Sequence, residues 1–510
     1  MRQLTPLDAQ FLNVESETTA AHVAGLAVLD PAEGALTRES LAQLLLARMH
    51  LAPALGLRLV EVPLGLDHPY WAADPGFDLA HHLFETTLPA PGDEGALADV
   101  VAELHARRLD RAHPLWEMHL IHGLRGGRVA LYTKVHHAAI DGVSGAETLA
   151  ALLDLSPCPP PPQNPPQNPQ NPPQNPPHSA EAARPTQNAA PSLASMLAGA
   201  AVRTFTHPAR ALRSVVRAAG DLDAIPLASG LPGARLIAKA ARAVAGDAHP
   251  RPELPSLSVP RTPLNGPISG RRRLSFGSVS FKDVRNLARA HGMSVNDVVM
   301  ALCTSALRSW LRERDALPAG PLIAAVPVAV RTGGAREVVG NQISAMVAPM
   351  PTHLRDPRER LHAVGAVMSR AKRRFATTRA SWLHELCSLL PAPVAGQVTP
   401  AIFRLAALAF PPINLIISNV PGPQFPLYLC GGRVLSYYPL SVLTDVSGAL
   451  SITCFSYDGM LDFGIVACPE RVDDVWGLLG HLRAALDELL LDEGVGDEFR
   501  HGVGVDLVAG

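Results

Sequence analysis

The sequence predicts an α/β protein of two similar units, and three observations carry that reading. Each half contains a short turn between two apolar strand-like runs: Gly126-Gly127 in the first and Asp458-Gly459 in the second. Around these hairpins, runs with helical period alternate with short β-rich runs. Between them, Pro-Pro-Gln-Asn repeats run from Pro161 to Pro177. Such a stretch cannot form a helix, a central strand or a core. The predicted boundaries are 1–156 for the first unit and 157–192 for an extended or disordered linker. Residues 193–259 form an Ala/Arg-rich helical connector, and 260–510 the second unit.

In the first unit, His22 to Leu29 reads as a strand. Thr37 can cap a helix through Leu41, Leu44, Leu45 and Met49, with Glu39 and Ser40 in its first turn. Leu97, Val100, Val101 and Leu104 carry the period of a second helix. Met118 to Leu124 and Val129 to Val135 are the two arms of the hairpin, and Val143 to Leu155 reads as a helix. In the connector, Arg203, Arg210, Arg213, Arg217, Arg235, Lys239 and Arg242 alternate with Leu, Val and Ala. A helix lying on anionic lipid and a helix packed on its own domain both fit this pattern, and the packed helix is the preferred reading.

In the second unit, Ser280 with Asp283, and Ser294 with Asp297, have the spacing of capping boxes. Pro321 to Val330 is an apolar run suited to a buried strand. Asp356-Pro357 starts a helix to Phe375, and Trp382 to Ala409 reads as helical but interrupted by prolines. Asn414 to Ser418 is a short strand. Leu450 to Tyr457 and Met460 to Val466 form the second hairpin, and Val472 to Leu491 the last helix. Two similar units suggest a site at their junction.

Composition narrows the function. The chain has 510 residues, 47% hydrophobic, with a formal net charge of -2 and 5% aromatic residues. That balance argues against nucleic acid as a partner. The six cysteines form no Cys-x-x-Cys pair, so neither a zinc site nor a disulfide framework is expected, and a reducing cytosol fits. Met1 to Asp8 has no apolar core of a signal peptide, so none is expected, and no apolar run reaches the length of a membrane span. The best stretch, Ala401 to Val420, is broken by Arg404, Pro411 and Pro412. The expected location is cytoplasmic, with any membrane contact peripheral.

The chemistry concentrates in Lys134-Val135-His136-His137-Ala138-Ala139-Ile140-Asp141-Gly142, where the strand of the first hairpin gives way to a helix. The carboxyl end of a buried strand is a common place for a site in an α/β protein. A neutral histidine can take a proton from a hydroxyl held within hydrogen-bond reach. Neighbouring strand residues point to opposite faces, so only one of the pair can look into a given cavity. Asp141 is placed to fix the local turn or to hold a cation there, and Gly142 permits a backbone angle that other residues resist. The plainer reading is a pair of strand-end histidines, one packed and one solvated.

His136-His137-Ala138-Ala139-Ile140-Asp141-Gly142 resembles the HHxxxDG motif of the chloramphenicol-acetyltransferase-like acyltransferases. More narrowly, the chain resembles the bacterial wax ester synthase/acyl-CoA:diacylglycerol acyltransferase family, especially its actinobacterial triacylglycerol synthase type. Seven further blocks carry the likeness in order: Pro6-Leu7-Asp8-Ala9-Gln10-Phe11-Leu12, Pro114-Leu115-Trp116-Glu117, Asn265 to Gly270, Ser294 to Val299, Val326 to Arg331, Gly340-Asn341-Gln342 and Ser418 to Pro423. The resemblance runs from residue 4 to about 490, and the Pro-Gln-Asn repeat falls where the family has a variable linker.

The resemblance implies two chloramphenicol-acetyltransferase-like domains with the active site between them. It implies transfer of a long-chain acyl group from acyl-CoA to a hydroxyl, that of diacylglycerol giving triacylglycerol or that of a fatty alcohol giving wax ester. His137 would be the general base, His136 a supporting residue, Asp141 structural and Gly142 a turn residue. Arg331 is the expected partner of Asp141. Asn296 would place the acceptor or the oxyanion, although it also fits as a first-turn residue of a helix capped by Ser294. Asp297 reads as that helix's capping acid, and Asn341 and Asn419 as turn residues first. Ser144 lies in Gly142-Val143-Ser144-Gly145, which is not a nucleophile elbow, so direct attack by the acceptor is expected. Acyl-CoA enters as substrate, and neither a cofactor nor a metal is expected. The implied partners are acyl-CoA, diacylglycerol or fatty alcohol, and a peripheral membrane or lipid-droplet surface. Two other classes stay open: a condensation-type acyltransferase fed by a carrier protein, and a non-catalytic lipid-binding or lipid-droplet protein.

Overall fold

A computed structural model describes residues 2–31, 36–139, 152–158, 192, 195–197, 234–245, 258–329, 343–377, 392–409 and 412–492. The chain begins with β1 (Arg2–Gln3) and α1 (Pro6–Asn13). Thr5 caps α1 in a full capping box with Asp8, and Pro6 occupies its first turn. β2 (His22–Asp30) precedes α2 (Arg38–Arg48), which Thr37 caps through Ser40. Then come β3 (Leu57–Val60), β4 (Tyr70–Ala73), β5 (Leu83–Thr87) and α3 (Glu94–Ala106), capped by Asp93. β6 (Trp116–His122) and β7 (Val129–His136) are the expected hairpin, with Gly126 and Gly127 both at positive φ in its turn.

The expected helix from Val143 to Leu155 lies largely outside the described residues. Its end is corrected: Asp154 already forms an isolated β-bridge with Tyr428. Most of the Pro-Gln-Asn linker also lies outside them. Within the connector, α4 (Ala234–Ala245) is a helix, with Ala238 buried but Leu236 and Ile237 exposed. Ala238 shows that one side of the helix packs, as the preferred reading has it, but the exposure of Leu236 and Ile237 is not what that reading expects, and the rest of the connector lies largely outside the described residues.

The second half supplies β8 (Arg273–Ser280), α5 (Phe281–Ala290), α6 (Val295–Arg312), β9 (Leu322–Ala329) and β10 (Ile343–Met350). α7 (Pro357–Thr377), α8 (Ala392–Ala409) and β11 (Leu415–Val420) follow. β12 (Tyr428–Leu429), β13 (Gly432–Leu440), β14 (Leu450–Tyr457), β15 (Met460–Ala467) and α9 (Val475–Asp492) complete it. The capping box of Ser294 and Asp297 is present at the start of α6, and Asp356 accepts the Glu359 N–H at 2.7 Å at the start of α7.

Two six-stranded mixed sheets form the frame, in the orders β12-β13-β2-β7-β6-β5 and β10-β9-β11-β14-β15-β8. β1, β4 and β3 make a small third sheet. The first two strands of the first sheet come from the second half of the chain. β13 pairs antiparallel with β2, bringing Tyr438 opposite Leu26 and Leu440 opposite Ala24. Close approach on the other side of β13 needs a glycine: a Cβ on Gly464 would overlap the Pro439 carbonyl. The two halves consequently share one core, in which Leu26, Val101, Ile121 and Tyr132 pack with Leu274, Phe276, Leu440 and Val466. A second core lies within the later half, where α6 runs through almost wholly buried positions, from Val298 to Leu311.

Candidate active site

The histidine pair sits where β7 ends and its neighbours part. His136 N–H donates to the Leu115 carbonyl at 2.9 Å on the β6 side, and His137 N–H donates to the Ala21 carbonyl at 2.9 Å on the β2 side. The two rings meet different partners, Glu15 beside His136 and Phe11 beside His137. His136 is buried and His137 half-buried.

His136 is fixed at Nδ1 and faces a carboxylate at Nε2. Its Nδ1 accepts the Ala138 N–H at 3.0 Å, which closes the turn after the strand. A neutral ring with Nδ1 accepting carries its proton on Nε2. That atom lies 3.3 Å from Glu15 Oε1. Glu15 also accepts the Ala21 N–H at 3.1 Å and Arg111 Nη2 at 2.8 Å, and the same Arg111 nitrogen donates to the Leu12 carbonyl at 2.7 Å. Burial by itself would raise the Glu15 carboxyl, but His136, Arg111 and the Ala21 amide outweigh it and bring its pKa from 4.5 down to about 2. Glu15 is therefore a fixed anion behind the motif.

His137 is held by stacking. The Phe11 ring lies against it, with centroids 3.9 Å apart and planes 7° from parallel. Phe11 is carried by α1, whose capping box and first-turn proline set where that helix starts. The block Pro6 to Leu12 thus has a physical task at the histidine.

Behind the pair lies a layer of buried polar groups. His22 stands opposite His136 in the β2–β7 register. Its ring meets that of His105 edge-on, with centroids 4.7 Å apart. His105 accepts the Tyr132 hydroxyl at 2.9 Å on Nδ1 and donates from Nε2 to the Ser441 carbonyl at 3.3 Å. Burial drives the pKa of His105 down to about 3 and that of His22 well below its ordinary value, so both are neutral at pH 7. Lys134 Nζ donates to the carbonyls of Leu104 and Arg107 and to Glu117 Oε2, each at 3.1 Å. Burial lowers the Lys134 pKa, while the charge of Glu117 opposes the shift. Of the four imidazoles, His22, His105 and His136 are at most 3% exposed, and His137 alone reaches the surface of the cluster.

Asn296 lies in the first turn of α6, and its Oδ1 accepts from Asn419 Nδ2 on β11 at 3.3 Å. The side chain is thereby oriented by another strand, beyond its place in a capped helix start. Asp297 accepts the Ser294 N–H at 3.1 Å, as its spacing predicts, and also takes Lys372 Nζ at 3.1 Å. Asp141, Gly142, Arg331 and Asn341 lie outside the described residues. Glu15, Arg111 and the packing role of Phe11 were not identified from the sequence, because no local pattern near residue 15 points to a strand end 121 residues later.

Among the described residues, no group of three or more His, Cys, Asp or Glu side chains could hold a metal ion. A cavity of about 610 Å³, lined by Val28, Glu94, Arg125, Arg128, Tyr438 and Trp476, contains none of these histidines. Among the described residues, no helix is long and apolar enough to cross a membrane.

Comparison with known proteins shows the family of the chain. Residues 4–299 match the wax ester synthase/diacylglycerol acyltransferase catalytic domain, and residues 339–490 match the C-terminal domain of the same family. A putative diacylglycerol O-acyltransferase of Mycobacterium tuberculosis is 34% identical over 493 residues, covering 96% of this chain and 90% of that protein. A probable diacylglycerol O-acyltransferase of the same organism is 32% identical over 502 residues, covering 96% and 99%. The solved structure of a wax ester synthase/diacylglycerol acyltransferase from Marinobacter aquaeolei is 28% identical, with a TM-score of 0.65, over 97% of this chain and 100% of that one.

Proposed function

Because this chain belongs to the wax ester synthase/diacylglycerol acyltransferase family, we propose that it moves a long-chain acyl group from acyl-CoA to the hydroxyl of diacylglycerol, with His137 as general base. The observation that carries the assignment is exposure. His137 is half-buried, whereas His136 behind it is buried and engaged. A base must come within hydrogen-bond reach of the proton it removes.

In this reading His137 takes the proton from the acceptor hydroxyl as its oxygen attacks the thioester carbonyl. The tetrahedral intermediate collapses with loss of the carbon–sulfur bond, and the same ring returns the proton to the sulfur of coenzyme A. Proton and acyl group both balance, and no acyl-enzyme forms. Phe11 fixes the plane of the base. The chain from Arg111 through Glu15 to His136 fixes the turn that carries it. The Asn296 amide, oriented by Asn419, is the candidate donor to the acceptor or the oxyanion. Asp141 pairing with Arg331, and Gly142 as the turn, complete the proposal from the family motif. A fatty alcohol is the second acceptor of the same chemistry and would give a wax ester.

The test is release of free coenzyme A from palmitoyl-CoA, with diacylglycerol and a long-chain alcohol offered separately. Release should need an acceptor. His137→Ala should lower it by about 10²–10⁴-fold, the usual worth of a general base. Release without any acceptor, or an undiminished rate in the variant, overturns the assignment.

A further inference from the structure

α8 wears its apolar face outward. Val394, Ile402, Leu405 and Leu408 recur at the spacing of one helical face, and they are 42%, 49%, 66% and 55% exposed. The adjoining face is the one that packs: Ala395 and Thr399 are buried, and Thr399 Oγ1 accepts Gln10 Nε2 of α1 at 3.1 Å. An amphipathic helix on a water-soluble surface normally shows the reverse arrangement. Beside α8, the turn after β3 presents Leu64, 90% exposed and held at a φ of 58°. A leucine in the left-handed region at a convex tip forgoes both packing and backbone ease.

We propose that the outer face of α8 and the Leu64 tip form the surface by which this protein lies on an anionic lipid membrane. The proposal deepens the reading above by naming where the acceptor's own phase meets the enzyme. Three features favour lipid over another protein. The apolar residues come from a helix and a separate loop tip, which suits a phase that conforms to any shape. Neither residues 392–409 nor residues 63–66 contain a carboxylate, and the one charged residue among them is the exposed Arg404, with the exposed Glu61 flanking the Leu64 turn, so the helix face itself offers anionic headgroups a cation and no anion. The patch is also continuous with the site: α8 packs on α1, and α1 places Phe11 on His137. Elsewhere, α4 likewise exposes Leu236 and Ile237 next to the exposed Lys239.

The experiment is flotation of the full chain with vesicles of phosphatidylcholine and phosphatidylglycerol. It is run beside coenzyme A release with diacylglycerol in detergent micelles. Wild-type protein should float with the vesicles. The double variant Leu405→Gln/Leu408→Gln should partition at least about tenfold less, with micellar turnover unchanged within about twofold. Leu405→Trp should give blue-shifted emission on vesicle addition. Failure of wild-type flotation, undiminished flotation of the double variant, or an unshifted Leu405→Trp spectrum overturns the proposal. So does a wild-type dimer that the double variant makes monomeric, since the face would then join two copies. Loss of micellar turnover in the wild type would instead refute the enzymatic reading and leave the flotation result standing.

Discussion

Glu15→Gln isolates a charge from the shape that carries it. The amide keeps the size of the carboxylate and one acceptor for the Ala21 N–H, but it gives up the ion pair with Arg111 and the anion facing His136 Nε2. The Glu15 side chain is only 3% exposed, so solvent screens the loss little. Its pKa falls from 4.5 to about 2. At 1.36 kcal/mol for each pH unit, this corresponds to about 3 kcal/mol of folding stability at neutral pH. The folded-state value lies below the unfolded one, so the contribution is complete above pH 4.5 and lost as pH falls through about 2. Urea unfolding of wild type and variant at pH 7 and pH 3 measures it. The gap between them should be about 3 kcal/mol at pH 7 and about half of that at pH 3. An equal gap at both pH values would refute the reasoning, because the loss would then come from packing and not from charge.

Two other substitutions test the supports of the motif. Phe11→Leu should keep the fold and lower turnover by up to about tenfold, the worth of one aromatic pair; an unchanged kcat in coenzyme A release would show that stacking does not orient His137. Lys134→Met should destabilise the protein by about 2–3 kcal/mol, because it leaves the part-buried Glu117 with His119 alone, at 3.0 Å, and the Leu104 and Arg107 carbonyls without their donor. Adding Glu117→Gln should recover part of that loss in a thermal scan, and no recovery would remove the ion pair from the explanation.

What the sequence made legible was local. The hairpins at Gly126-Gly127 and Asp458-Gly459 formed as read, because turn chemistry and period-two alternation act within a few residues. The caps at Thr37 and Ser294 follow the same logic, whereas the capping box of Thr5 and Asp8 was not among the caps read from the sequence. The strand-end position of His136 and His137 was legible too. The sheet order was not. Nothing between Gly432 and Leu440 signals that this strand leaves its own half to pair with β2. Nor does any pattern join Glu15 to His136, or His22 to His105, since each pair meets only through the tertiary fold. Asn296 was legible as a helix-start residue, while its partner Asn419 lies 123 residues away.

The excursion of β13 into the first sheet has a consequence for how the molecule comes into being. Until residue 440 has been synthesised, β2 is an open edge, with its amides and carbonyls unpaired on one side and the histidine strand directly behind. A nascent chain carrying the whole motif is therefore an unfinished sheet, prone to stick to other unfinished sheets and dependent on the ribosome's progress for its cover. The same geometry means that a protease cutting between the halves would release no independent fragments. It would leave two interlocked pieces, the later half still holding β12 and β13 in the sheet of the first and neither able to keep the site alone.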